Sequence, residues 1–259
     1  MTTNPSSKES LSKEPKFFSF ENFRSLGILI LIILALRWSV ASPYHVPTAS
    51  MEPTIKVGDR LLAFKLAYDF KLPFTDWVIF SWGTPKRGDI IVFKYPRDPD
   101  IDYVKRIVAV AGDEILLKDD ILYINGAPQP MEAFESDRSI LEDIYDNKDQ
   151  KSLFKETLTG VNHWVIQDQS IRHYKSKTWP PDGVPKKISE NSVFVIGDNR
   201  DNSTDSRFWG EVPLSYVRGK ATFVIWSLYQ PKQDAAASES FWSTFRYVFR
   251  YNRIGYWLR

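Results

Sequence analysis

Cysteine is absent from the 259 residues, which removes a thiol nucleophile, thiolate zinc sites and disulfides together. Histidine is scarce: His45, His163 and His173 are the three present, so imidazole-based metal or triad chemistry has few residues to draw on. An excess of charge of one sign is also lacking. Thirty-four Lys and Arg stand against 32 Asp and Glu, a net of +2, which argues against nucleic acid as a partner. There is no apolar run of the about 20 residues that a spanning helix ordinarily uses. The longest, residues 26–36, has eleven and lies within SLGILILIILALRWSVA at 25–41.

That short run is nevertheless the most membrane-like part of the chain. Arg37 at its end can snorkel to an interface beside Trp38. Two readings compete. An apolar centre with a charged leader and Ser39-Val40-Ala41 behind it fits a cleavable signal peptide. Arg37 and the nearby Pro43 are poor company for a cleavage site, which favours an uncleaved anchor. Lys8, Lys13, Lys16 and Arg24 precede the segment and only Arg37 lies at its far end, so the charge bias puts the N-terminus in the cytoplasm. Residues 1–24 then form a polar cytoplasmic tail, 25–41 a single transmembrane anchor, and 42–259 an extracytoplasmic region, with the lipid bilayer as a partner.

Aromatics at 15% and 16 prolines point to strands and turns. Strand-like stretches at 60–67, 90–93, 103–110, 115–117, 121–124, 193–196 and 221–228 are each bounded by Gly, Pro or Asp, the punctuation of an antiparallel β domain. Asn125-Gly126 predicts a tight turn. Acidic residues cluster from Glu132 to Asp149, and the stretch 113–190 reads as a peripheral β-rich insertion. After Glu239 the chain has no acid; 241–259 interleaves aromatics with Arg246, Arg250, Arg253 and Arg259. Such a tail either caps the core or touches anionic lipid.

Three segments carry chemistry. Ser50 lies in Pro47-Thr48-Ala49-Ser50-Met51-Glu52-Pro53, where two prolines disfavour helix and shape an extended loop presenting a hydroxyl. Along 102–109 a period of two places Tyr103, Lys105, Ile107 and Ala109 on one face and Arg106 on the other. A lysine on a buried face loses hydration, its pKa falls, and the neutral amine becomes a usable base; on an edge strand it would simply snorkel. A serine needs such a base, because its own hydroxyl is protonated at neutral pH. No GxSxG elbow surrounds Ser50. The third segment, 197–210, holds Asp198, Asp201 and Asp205, but a calcium loop starting at Asp198 fails at Arg200 and Ser203. Asp205 and Arg207 read instead as a bidentate ion pair, leaving the Ser203 hydroxyl for a neighbouring amine.

These segments, in this order and with Arg87-Gly88-Asp89-Ile90-Ile91-Val92-Phe93-Lys94-Tyr95-Pro96, resemble bacterial type I signal peptidases, the membrane-anchored leader peptidases. The resemblance runs in blocks from about residue 37 to 228, plus Arg253-Ile254-Gly255. It implies an antiparallel β catalytic domain on the outer, periplasmic side of the inner membrane, cutting signal peptides from exported preproteins without metal or organic cofactor. It implies Ser50 as nucleophile, Lys105 as general base, and the Ser50 N–H with the Thr48 hydroxyl as oxyanion hole. Ser203 would orient the lysine, with Asp205 and Arg207 in support. Tyr44, Val46, Pro47 and Val104 would line shallow pockets that exclude large side chains. Two positions depart from the family's commoner residues: Thr48 replaces serine and Ala49 replaces glycine, so the loop must do without positive φ.

Two other readings use the same residues. A Ser-Lys autoprotease of the repressor-processing kind is opposed by the lack of a helix-turn-helix pattern and by residues 25–41. A membrane-tethered binding module would leave Ser50 and Lys105 as structural residues only.

Overall fold

The computed structural model describes residues 20–72, 75, 77–118, 121–169, 180–181, 183–229 and 248–258. The expected tail up to residue 19, His173 and the aromatic-basic stretch up to residue 247 lie outside the described residues. The chain opens with α1 (Phe20–Ser39), then β1 (Ala41–His45), β2 (Asp59–Phe64), β3 (Asp69–Lys71), β4 (Val78–Ser81), β5 (Ile90–Tyr95) and β6 (Asp98–Val110). Next come β7 (Glu114–Lys118), β8 (Ile121–Ile124), β9 (Ala127–Pro128), β10 (Met131–Ala133), β11 (Lys151–Leu158), β12 (Val161–Asp168) and β13 (Lys186–Lys187). The last elements are β14 (Ser192–Ile196), α2 (Ser206–Trp209), β15 (Val212–Pro213), β16 (Val217–Tyr229) and β17 (Val248–Phe249). The protein is mainly antiparallel β.

One large sheet runs in the order β1-β2-β16-β5-β6-β14-β15, with β17 on β16. Its centre is wrapped on both faces, and β5 shows why. Ile90 and Val92 enter one cluster with Val46, Met51, Ile55, Leu61 and Val224. Ile91 and Phe93 enter another with Ile107, Val195 and Val217. A strand buried on both sides reads as a continuous apolar run, which is the pattern of 90–93. Each such side chain contributes about 1.5–3 kcal/mol through removal from water.

On β6 the expected alternation holds only up to Ile107. The pairing with β14 slips between Phe194 opposite Ala109 and Val195 opposite Ile107, so Val108 is an extra residue. The bulge carries Ala109 off the Ile107 face and into a third cluster with Val108, Phe194 and Ile196.

Between β6 and β14 lie two small sheets, β13-β7-β8-β9 and β10-β11-β12. Asn125 and Gly126, at the head of the β8–β9 turn, have φ of 53° and 79°, the left-handed pair that Asn-Gly supplies most readily.

The apolar N-terminal segment is helical, beginning at Phe20 rather than residue 25 and ending at Ser39. Among the described residues no helix is long and apolar enough to cross a membrane. At 1.5 Å per residue the uninterrupted apolar part covers about 16 Å, against about 30 Å of hydrocarbon. Its side chains from Leu26 to Leu34 are 44–63% exposed apart from Gly27. The C-terminal arginines behave otherwise. Arg253 is buried and pairs with Asp59 while donating to Thr54 O, and Arg250 donates to Val57 O and Ser227 Oγ. This end of the chain caps the core, leaving Tyr251, Ile254 and Trp257 exposed.

Candidate active site

Ser50 sits on a turn pinned from both ends. Val46 N donates to Asp59 O and Gly58 N to Val46 O, tying the approach to the start of β2. Beyond it, Ile55 N donates to Met51 O, and both side chains are fully buried. The hydroxyl therefore cannot drift without pulling two apolar groups out of the core.

Lys105 reaches it from β6. The β14 ladder begins only at Arg106, paired with Ile196, so at residue 105 the strand edge is open and the side chain turns across it. Its Nζ lies 2.6 Å from Ser50 Oγ and 2.9 Å from Val104 O. Lys105 is 4% exposed. Burial pulls its pKa down to about 8, with Arg207 helping, while the carboxylates of Asp205 and Asp198 work in the opposite direction. The hydrogen-bond partners of Ser50 Oγ are Lys105 and, at 3.4 Å, Thr48 Oγ1. Among the described residues none is a histidine: His45 lines the neighbouring cavity and His163 is buried in β12.

The loop 197–207 closes the far side. Asn199 N donates to Ser50 O at 3.2 Å. Arg207 clasps Asp205 through Nε and Nη2, both at 2.8 Å, and Nη2 also donates to Arg200 O. Asp205 takes the Ser203 hydroxyl at 2.6 Å and Gly197 N at 3.0 Å. The Ser203 hydroxyl is thus directed at a carboxylate, a stronger acceptor than an amine, and the second partner of the lysine is the Val104 carbonyl. Among the described residues the positive-φ positions other than glycine are Asn125, Thr159 and Asn191, so Ala49 stands at ordinary backbone angles.

A cavity of about 320 Å³ opens beside the pair. Tyr44, Val46, Pro47 and Val104 line it, together with Leu61 and Val92. Burial and the nearby Asp102 push the Tyr44 phenol up to about 12. No group of three or more metal-ligating side chains occurs among the described residues.

A comparison with known proteins decides the family. The profile described as "Signal peptidase, peptidase S26" matches residues 19–226. The chain belongs to the signal peptidase family. It is 34% identical to Signal peptidase I of Pseudomonas fluorescens over 84% of its own length and 75% of the relative's. The Pseudomonas aeruginosa enzyme of that name is 33% identical, covering 86% and 77%. That of Aquifex aeolicus is 35% identical, covering 78% and 82%. This signal peptidase family member is accordingly a peptide-bond hydrolase.

Sequence reading missed several residues of the site. Asp198, 1% exposed, receives Arg106 Nε at 2.8 Å and Nη2 at 2.7 Å. A signal for it existed, since an arginine on the face opposite Lys105 in a buried strand requires a carboxylate. Asn199, Asn202 and Thr204 carried none that a turn-rich loop would not also carry.

Gly197 generates a prediction. A Cβ there would come 2.4 Å from Ser50 O and 2.3 Å from Ser203 Oγ. Gly197→Ala must push the two loops apart, and peptidase kcat should fall by at least about tenfold, since small misplacements at a reacting centre are costly. Wild-type kcat in that variant would show that the contact does not constrain the site.

Proposed function

We propose that the protein removes signal peptides from exported preproteins with Ser50 as nucleophile and Lys105 as general base. The observation that carries this reading is the 2.6 Å contact between the buried amine and the hydroxyl. Protonated, the amine donates to Ser50; neutral, it accepts the hydroxyl's proton as Oγ attacks the scissile carbonyl. The resulting ammonium gives that proton to the leaving amine, and the acyl-enzyme is opened by a water that Lys105 deprotonates in turn. The Ser50 N–H and Thr48 Oγ1 stabilise the oxyanion. Ser203, Asp205 and Arg207 act in support, holding the loop that backs the lysine. Holding the amine at a pKa of about 8 costs the folded protein about 3 kcal/mol while it is protonated.

Tyr44, Val46, Pro47 and Val104 form the wall that receives small substrate side chains. A rigid apolar surface admits alanine and meets anything bulkier with a clash.

The segment 25–41 anchors the chain in the inner membrane with residues 1–24 in the cytoplasm and the catalytic region outside. Two observations support membrane attachment: the exposed apolar girdle of α1, and the hairpin β3–β4, where Trp77 is 74%, Phe80 66% and Trp82 57% exposed. Aromatic side chains of this kind suit the interfacial zone. Signal peptides are apolar segments inserted in the same bilayer, so confinement to that surface raises the effective substrate concentration.

With full-length protein in detergent and a preprotein substrate, Ser50→Ala and Lys105→Arg should each lose roughly 10³-fold or more in kcat/KM, because a guanidinium does not give up its proton. Full activity in either would refute the dyad. The base works only when neutral, so kcat/KM should rise about tenfold per pH unit on the acid side and level off above about pH 8; a flat profile from pH 6 to 9 would count against Lys105. In alkaline carbonate extraction the protein should stay with the membrane pellet, and release into the supernatant would remove the anchor.

A further inference from the structure

The acidic stretch between β10 and β12 reaches the catalytic loop. Ile166 N on β12 donates to Asp198 O, and Arg200 N donates to Ile166 O, both at 3.0 Å, a parallel bridge centred on Asn199. Buried Glu156 on β11 receives Arg200 Nη2 at 2.5 Å, and its carboxyl is held well below the usual range: burial pushes it up, but Arg200 and His163 outweigh that. His163 Nε2 stands 3.0 Å from the same oxygen.

Asp146 goes further, because its contacts lead to the nucleophile. Its Oδ2 accepts Asn199 Nδ2 at 3.0 Å and Asn202 Nδ2 at 2.9 Å. Asn199 Nδ2 also donates to Ala49 O at 3.1 Å, and Asn199 N to Ser50 O. Both hydrogens of the Asn199 amide are therefore spent on acceptors. Turned over, the amide would set its oxygen against a carbonyl and a carboxylate, so Asp146 and Ala49 O, with Lys151 Nζ 3.5 Å from Asn199 Oδ1, together fix which way it points. Asn202 lines the cavity beside Ser50. Lys151 Nζ, 3.2 Å from Asp146 Oδ2 and 3.7 Å from Asp168 Oδ2, steadies the carboxylate from behind. Burial works to raise the Asp146 pKa, but the Asn202 and Asn199 donors and Lys151 prevail and hold it below the ordinary value.

We propose that Asp146 is a positioning residue: through Asn199 and Asn202 its carboxylate sets the placement of the Ala49–Ser50 turn and of the adjoining cavity wall. This rests on the reading of Ser50 as nucleophile. Asn199 makes a continuous path from a segment of the insertion to the backbone carbonyls of Ala49 and Ser50, while Asn202 ties the same carboxylate to the cavity wall.

The test is steady-state cleavage of a preprotein by the full-length enzyme in detergent, with Ser50→Ala as control and thermal midpoints measured alongside. Asp146→Ala is expected to lower kcat about 10- to 100-fold while its midpoint stays within a few degrees of wild type. Asp146→Asn keeps a carbonyl oxygen that accepts both amide bonds and should hold kcat within about threefold. Asp146→Ala at wild-type kcat, with the control inactive, overturns this inference alone. So does an Asp146→Asn variant as impaired as Asp146→Ala. If Asp146→Ala fails to fold, Asp146→Gln replaces it: the added methylene displaces the acceptor, so kcat should fall well below that of Asp146→Asn, and equal values overturn the proposal. A Ser50→Ala control that still cleaves overturns the nucleophile reading and this inference with it.

Discussion

The Lys105 amine is held away from water beside a hydroxyl, and the surrounding architecture is arranged around what that demands. A dry ammonium is unfavourable, and the balance between burial and the carboxylates of Asp205 and Asp198 leaves it at a pKa of about 8. Nearer carboxylates would lock the proton on. On the proposed reading, an open site would return the amine to its ordinary range and leave too little neutral base at physiological pH. The Asp205 charge is spread instead over Arg207, the Ser203 hydroxyl and Gly197 N.

Buried ion pairs of this kind add little net stability, because desolvation offsets most of the attraction. What they contribute here is placement. Arg106 and Asp198 are each 1% exposed and join β6 to the start of the loop 197–207 on the face away from Lys105. Arg207 and Asp205 close that loop on itself. Arg200 and Glu156 join it to β11. The hydroxyl and the amine sit on chain segments 55 residues apart, and these links keep their separation at a hydrogen-bond length.

Surface chemistry divides along the same lines. The loop 197–207 presents polar groups that pair among themselves and with β6, β11 and Asp146, while α1 and the β3–β4 hairpin present exposed apolar groups. On the proposed reading, lipid covers both, and substrate and enzyme meet in a layer rather than in bulk solution.

Much of this was legible along the chain. Apolar stretches with Gly, Pro and Asp punctuation located β5, β6, β7, β8, β14 and β16, and a period of two set the faces of β6 up to Ile107, because these are local properties that each segment expresses on its own. Proline placement singled out the loop bearing Ser50 for the same reason. The Val108 bulge was not legible, since a ladder slip depends on the partner strand and leaves no mark on β6 itself. Nor was the reach of the acidic insertion: Asp146 and Glu156 look like ordinary surface carboxylates until the fold brings Asn199 and Arg200 against them. By itself the sequence determined which residue types were available and which faces they occupied. Only the tertiary structure decided which amine lost its water and which carboxylates faced it, because burial and through-space distance belong to the packed chain as a whole.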